Sequence, residues 1–284
     1  MESLVRNGAW AESISSFLTL RTSSSSSLPA LLTYDRYGQG KSASDPSDPP
    51  NTPYGHDARE VITDLHQLLT QISSSHLHCS NPSDLRLVFI CNSIGCVLAR
   101  LYAAQHPGTV SAFIFLDSMM ANTDFVSIFP DPDQPDFNKK NLPKDITADD
   151  LRYTRKRFEN FFHPDVTNSE HFDRRNLREL LPRADEPKLP DGPGGREPLL
   201  TVVGHDWDEF AEQCEHGSML VSAVVINAYM NPKWGRYNEG LTRLVKTERK
   251  VKIAEGCGHF IQKDDPEFVA GEINSMLDDL ENWK

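Results

Sequence analysis

Ser93 stands between an apolar run, Leu85-Arg-Leu-Val-Phe-Ile90, and a segment in which Leu98, Leu101 and Tyr102 recur at helical spacing. A strand that becomes a helix within about one residue forces strained dihedrals on the residue at the turn, so the positions two away must be small. Cys91 and Gly95 are small, and Cys91-Asn-Ser-Ile-Gly95 is a variant of the G-x-S-x-G turn with cysteine in the first glycine position. Ser93 is therefore the candidate nucleophile. His259 follows the turn Glu255-Gly-Cys-Gly258 at the end of the expected strand Lys250–Ala254, which sets an imidazole at the same sheet edge as a candidate base. Two carboxylates could orient that imidazole and stabilise the imidazolium. Asp117 ends the apolar stretch Val110 to Leu116, and Asp206 ends the next one in Val203-Gly-His-Asp206-Trp. Asp117 is preferred, because strand adjacency alone brings it to the serine's edge. Either aspartate also fits a plain role as a backbone cap.

Other motifs carry less chemistry. Gly38-Gln-Gly40-Lys-Ser-Ala43 matches a dinucleotide fingerprint, yet Asp45-Pro46, Pro49-Pro50 and Pro53 forbid the helix that must start at once beneath a pyrophosphate. A phosphate loop would need glycine where this chain has Asp35. The stretch reads instead as a turn held by Asp35 and Arg36. His76-x-His78-Cys79 lacks a fourth ligand at fixed spacing, so no metal is expected. Cys91 and Cys96 read as small buried residues rather than thiol nucleophiles.

These groups need elements to hold them. Strands are expected at Leu28–Tyr34, Leu85–Ile90, Val110–Leu116, Pro198–Val203 and Lys250–Ala254, and helices at about 56–71, after Ser93, at 238–245 and at 266–280. Strands alternating with helices imply an α/β fold with a mainly parallel sheet and helices on both faces. Residues 22–27 and 73–78 read as polar surface loops. The stretch from Met119 to Arg196 is rich in Pro, Asp, Lys and Arg, with amphipathic segments near 148–163 and 169–181 and no buried strand. It reads as an inserted helical lid, dividing the chain into 1–118 and 197–284 as the two parts of a core and 119–196 as the lid. Its phenylalanines pack it down, and some could line an apolar pocket.

The chain of 284 residues has a formal charge of −12 and a pI near 5.3, which argues against nucleic acid or an anionic membrane as partner. Five cysteines without framework spacing, no usable glycosylation acceptor, and no long apolar run or leader fit a cytoplasmic protein.

Taken together, Tyr34-Asp-Arg-x-Gly-x-Gly-x-Ser42, the Cys91–Gly95 turn, Leu116-Asp117-Ser118 and Gly256-Cys-Gly-His259-Phe resemble the α/β-hydrolase superfamily, in its lid-bearing serine esterase-like branch. The resemblance implies hydrolysis of an ester, thioester or related acyl bond of a small apolar substrate, without a cofactor. It implies Ser93, His259 and Asp117 or Asp206 as the triad and the Ile94 N–H as an oxyanion donor. A serine nucleophile disfavours the dehalogenase and epoxide hydrolase branches, which use aspartate. Many members carry the acid at the position that is Trp207 here, between Asp206 and Asp208, and this departure supports Asp117. The family also begins with further strands, one ending in a His-Gly segment that supplies a second oxyanion N–H. Met1 to Trp10 resembles only the part of the family chain beyond that segment, so the expectation is a truncated gene model or a chain that has lost activity. The competing reading is a non-catalytic binding or interaction protein.

Overall fold

A computed structural model describes residues 8–23, 27–46, 53–79, 81–168, 171–247 and 249–282. Four parallel strands form one sheet in the order β1 (Leu87–Ser93), β2 (Val110–Ser118), β3 (Leu199–His205) and β4 (Lys252–Ala254). Alternation along β2 builds two cores. Phe113 and Phe115 face one, and Ala112, Ile114 and Leu116 face the other. On the second face lie α1 (Gly8–Ser23), α9 (Ile261–Asp264) and α10 (Pro266–Glu281), through Phe17, Ile261, Val269 and Ile273. The opposite face is covered by α2 (Ala58–His76), α3 (Ile94–Gln105), α6 (Trp207–His216) and α8 (Asn231–Thr242). Between β2 and β3 run α4 (Ala148–Phe162) and the single turn α5 (Leu177–Leu180); α7 (Ala223–Val225) leads through a π-helical turn into α8.

Local chemistry explains the helix ends. Asp57 caps α2 in a capping box with Glu60, and Thr147 caps α4 in one with Asp150. Pro232 sits in the first turn of α8, where its missing N–H costs nothing, so that helix starts earlier than the expected 238.

Several expectations are corrected. Residues 28–34 are not a strand: they join no ladder, and Leu28, Leu31 and Leu32 are 53%, 44% and 43% exposed. An extended run becomes a strand only when a neighbour takes its backbone groups, and β1 pairs with β2 alone among the described residues. The strand carrying Ser93 is therefore at the sheet's edge, not at its centre. Residues 73–76 are not loop but the last turn of α2, where the Ser73 and Ser75 hydroxyls donate to the carbonyls of Leu69 and Gln71. Likewise Thr22 and Ser23 belong to α1, a helix the sequence pattern did not suggest; residues 24–26 lie outside the described set. Among the described residues of the expected helix at 169–181, only Leu177–Leu180 are helical, because Phe172 is pulled into a bridge with His56 and buried; residues 169 and 170 lie outside the described set.

Candidate active site

Ser93 closes β1 and stands immediately before α3, with φ 55° and ψ −122°. A left-handed backbone is costly for a side chain with a Cβ, and it is the strain expected of this turn. The strand's register slips here: Asn92 faces Leu116 while Ser93 faces Ser118, leaving Asp117 as the extra residue of a bulge. Asp117 also has positive φ, 43°. Two non-glycine residues at neighbouring strand ends thus hold unfavourable backbones, and only the first was legible from the sequence.

The bulge aims Asp117 at two imidazoles. Its Oδ2 lies 2.6 Å from His259 Nδ1 and its Oδ1 lies 2.8 Å from His205 Nδ1. Burial alone would raise the carboxyl, but the charge and hydrogen bond of His205, followed by those of His259, hold it down at about 2. His259 is positioned by its backbone, whose carbonyl accepts from Asn92 Nδ2 at 2.8 Å, one residue from Ser93. The same amide donates to the Leu116 carbonyl at 3.0 Å, so one side chain joins the serine turn, the acid's strand and the histidine loop. Trp234 packs against the His259 ring at 5.4 Å between centroids and donates its indole N–H to the Ser118 carbonyl. Ser93 is 1% exposed, and its Oγ makes no hydrogen bond with the described residues.

Asp206, the other candidate acid, is not at His259. It caps α6, accepting from the N–H groups of Asp208 and Glu209, and also takes the Gly256 N–H at 3.0 Å, and these backbone bonds keep its carboxyl below the usual range. Ile94 opens α3, directly after Ser93, and is buried. The missed residue is His205, which the sequence reading passed over inside Val203-Gly-His-Asp206. Its signal was its place at a strand end, one residue before a candidate acid.

Burial pushes Cys91 up to about 12 and Cys96 well above its ordinary value, and all five cysteines are free. The Asp35 turn matches its expected role: the carboxylate accepts the Lys41 N–H at 3.0 Å, the Asp35 carbonyl accepts from Ser42 Oγ, and a Cβ on Gly40 would collide with the Asp35 carboxylate. This turn borders a cavity of about 720 Å³ whose walls include Tyr34, Arg36, Asp64 and Gln67 but not Ser93, Asp117 or His259. Within it Asp45, His56 and Asp64 bring ligand-type atoms within 4.8 Å of one another.

Comparison with known proteins identifies the family. Residues 5–272 match the family described as the alpha/beta hydrolase family, and the chain belongs to it. The fold is that of an α/β-hydrolase. Among solved structures it is similar to an epoxide hydrolase from Vigna radiata, at 15% identity over 95% of this chain and 87% of that one, with a TM-score of 0.51. It is also similar to a putative lipase from Acinetobacter baumannii AYE, at 18% identity over 88% and 75% with a TM-score of 0.47, and to MenH from S. aureus, at 15% identity over 87% and 82% with a TM-score of 0.43. At 15% identity the likeness to the epoxide hydrolase speaks for the fold alone. No curated protein matches the chain. Among the described residues no helix is long and apolar enough to cross a membrane.

Proposed function

We propose that this α/β-hydrolase cleaves an ester, thioester or related acyl bond of a small apolar substrate through Ser93, His259 and Asp117. The observation that carries the reading is the 2.6 Å bond from His259 Nδ1 to Asp117 Oδ2, at the sheet edge where Ser93 holds a left-handed backbone. With Nδ1–H bound to the carboxylate, Nε2 is the free basic nitrogen. It would take the Ser93 proton as Oγ attacks the carbonyl, and return it to the leaving group when the tetrahedral intermediate collapses. The acyl-enzyme then reacts with water by the same route reversed. The Ile94 N–H, at the first position of α3, would donate to the developing oxyanion, helped by the positive end of the helix.

Aromatic rings lead away from the base: Trp234 to Phe125, Phe125 to Phe162, Phe162 to Phe158 and Phe158 to Phe129. Such a wall suits an apolar acyl or alcohol group better than a charged one. Phe125, Phe129, Phe158 and Phe162 all come from residues 119–196, so this stretch would act as the lid. The free thiols favour a reducing compartment such as the cytoplasm.

Fluorophosphonate labelling tests the reading, because only an activated serine reacts. Labelling of the wild-type chain that Ser93→Ala abolishes is expected. A second reading, a non-catalytic binding protein on the same fold, is favoured by the absence of any hydrogen bond from the described residues to Ser93 Oγ. An unlabelled, well-folded wild-type chain would establish it.

A further inference from the structure

Asp117 touches one more imidazole than a triad needs. His205 is 2% exposed, with Nδ1 at 2.8 Å from Asp117 Oδ1 and Nε2 at 3.1 Å from Asn231 Oδ1. A neutral imidazole has one donor nitrogen and one acceptor, whereas an ionised carboxylate only accepts. The Asn231 amide is oriented by its other partners: its nitrogen donates to the Trp207 carbonyl at 2.9 Å and to Asn227 Oδ1 at 2.6 Å. The Asn227 nitrogen in turn donates to Asp208 Oδ1 at 3.3 Å, which fixes that amide as well. Turning Asn231 over would set its oxygen against two acceptors. Its Oδ1 therefore faces His205 as an acceptor, and both nitrogens of the His205 ring must carry protons.

We propose that His205 is a buried imidazolium and a positioning residue: it donates to Asp117 and Asn231, locks the carboxylate in the rotamer that aims Oδ2 at His259, and offsets part of its charge. The catalytic consequence rests on the triad reading above, whereas the protonation of His205 stands on the hydrogen-bond geometry alone. Burial opposes its charge, but the Asp117 charge and hydrogen bond, the Asn231 bond and the nearby Asp206 together raise it above its ordinary value. The groups facing it are Asp117 from β2, His259 from the loop after β4, Asp206 at the end of its own strand, and Asp208 beyond the two amides. The thiols of Cys96 and Cys214, near Asp117, are pushed up by burial and stay neutral. Phe210, stacked at 4.3 Å, and Trp234, edge-on at 5.3 Å, add no charge.

Nitrogen-15 NMR of the histidine rings in the full chain tests the protonation directly, with His205 assigned through its bonds to the backbone so that no variant is required. Both ring nitrogens should appear protonated at pH 7, where a free histidine is mostly neutral. A neutral His205 tautomer at pH 7 overturns the proposal. The consequence for the site is read from pH profiles of kcat/KM on a p-nitrophenyl ester for His205→Gln and His205→Asn, which can still hydrogen-bond but carry no charge. Without the offsetting cation, the uncompensated Asp117 favours the inactive imidazolium of His259, so the acidic limb should move to higher pH by roughly one unit. A uniform loss at every pH with the limb unmoved would overturn the positioning role and leave His205 structural. If the wild-type chain is not labelled by fluorophosphonate, the triad reading fails, and the NMR result still decides the charge of His205.

Discussion

The two sides of the sheet are built to different standards. All nine residues of β2 are buried, and at its carboxyl end Asp117, His205, Asn231 and Asn227 form a chain of hydrogen bonds in which each partner restricts the next, while Trp234 donates to the Ser118 carbonyl. On the other side β1 is only half-buried over its first five residues, and the 28–34 segment leaves three leucines in solvent. The nucleophile ends the half-buried strand and the acid lies near the end of the fully buried one, while the base comes from the loop after the short edge strand β4. Asn92 joins the two, holding Leu116 and His259 through one amide. A site built this way should respond steeply to changes on the β2–β3 side and at Ser93 itself, and weakly to changes along 28–34.

The steepest expected response is at Ser93. On the triad reading Ser93→Ala should lower kcat on short p-nitrophenyl esters by on the order of 10⁶, as removal of the nucleophile does in another serine hydrolase. Thermal unfolding should change little, because Oγ has no hydrogen bond among the described residues to lose. Turnover equal to wild type would remove Ser93 from the chemistry.

Next come the two aspartates, compared as asparagines. Asp117→Asn keeps the shape but can hold the wrong imidazole tautomer, a loss of about 10⁴ in kcat where it has been measured in another serine hydrolase. Asp206→Asn should leave kcat within about threefold, since asparagine caps a helix about as well as aspartate. A reversed order would move the acid to the α6 cap, against the bond to His259. Equal, mild effects would sink the triad.

Legibility in the sequence divides along the same line. The serine turn, the two candidate acids, the histidine after Gly256-Cys-Gly258 and the alternation of strands with helices could all be read because each is local: small residues around a strained turn, apolar runs, glycines where φ is positive. Gly256, at φ 70°, is such a case. His205 escaped because its meaning lies in partners from β2 and α8, far away in the chain. The 28–34 run was misread for the complementary reason. Apolar residues report a capacity to pair, and pairing depends on a neighbour that sequence periodicity does not supply. The serines of α2 deceived through composition, since their hydroxyls bond back to the helix rather than breaking it.

The charged pair on β2–β3 predicts a pH dependence of stability. Asp117 is depressed, so its contribution is fully present above the ordinary carboxylate value of about 4 and disappears as pH falls toward about 2. His205 is raised, so its contribution is fully present below about 6.5 and disappears as pH rises through its folded value. The melting temperature should therefore fall on both sides of a plateau between these limits, and the alkaline fall should be shallower in His205→Gln than in wild type. An identical alkaline slope in the two proteins would mean that the pair is not ionised.

The smallest effect is expected on the open side, and it tests the comparison from its weak end. Leu31→Ser and Leu32→Ser replace side chains that are 44% and 43% exposed and belong to no ladder. Surface substitutions of this kind change stability by no more than about 0.5 kcal/mol. Phe113→Ala, in the packed strand and fully buried, should cost about 3–5 kcal/mol. Urea unfolding of all three variants gives both numbers under one condition, and an unchanged m-value shows that the same transition is being compared. If either leucine variant lost more than about 2 kcal/mol, far above the surface range, that leucine would be packed in solution, and the contrast between the two sides of the sheet would disappear.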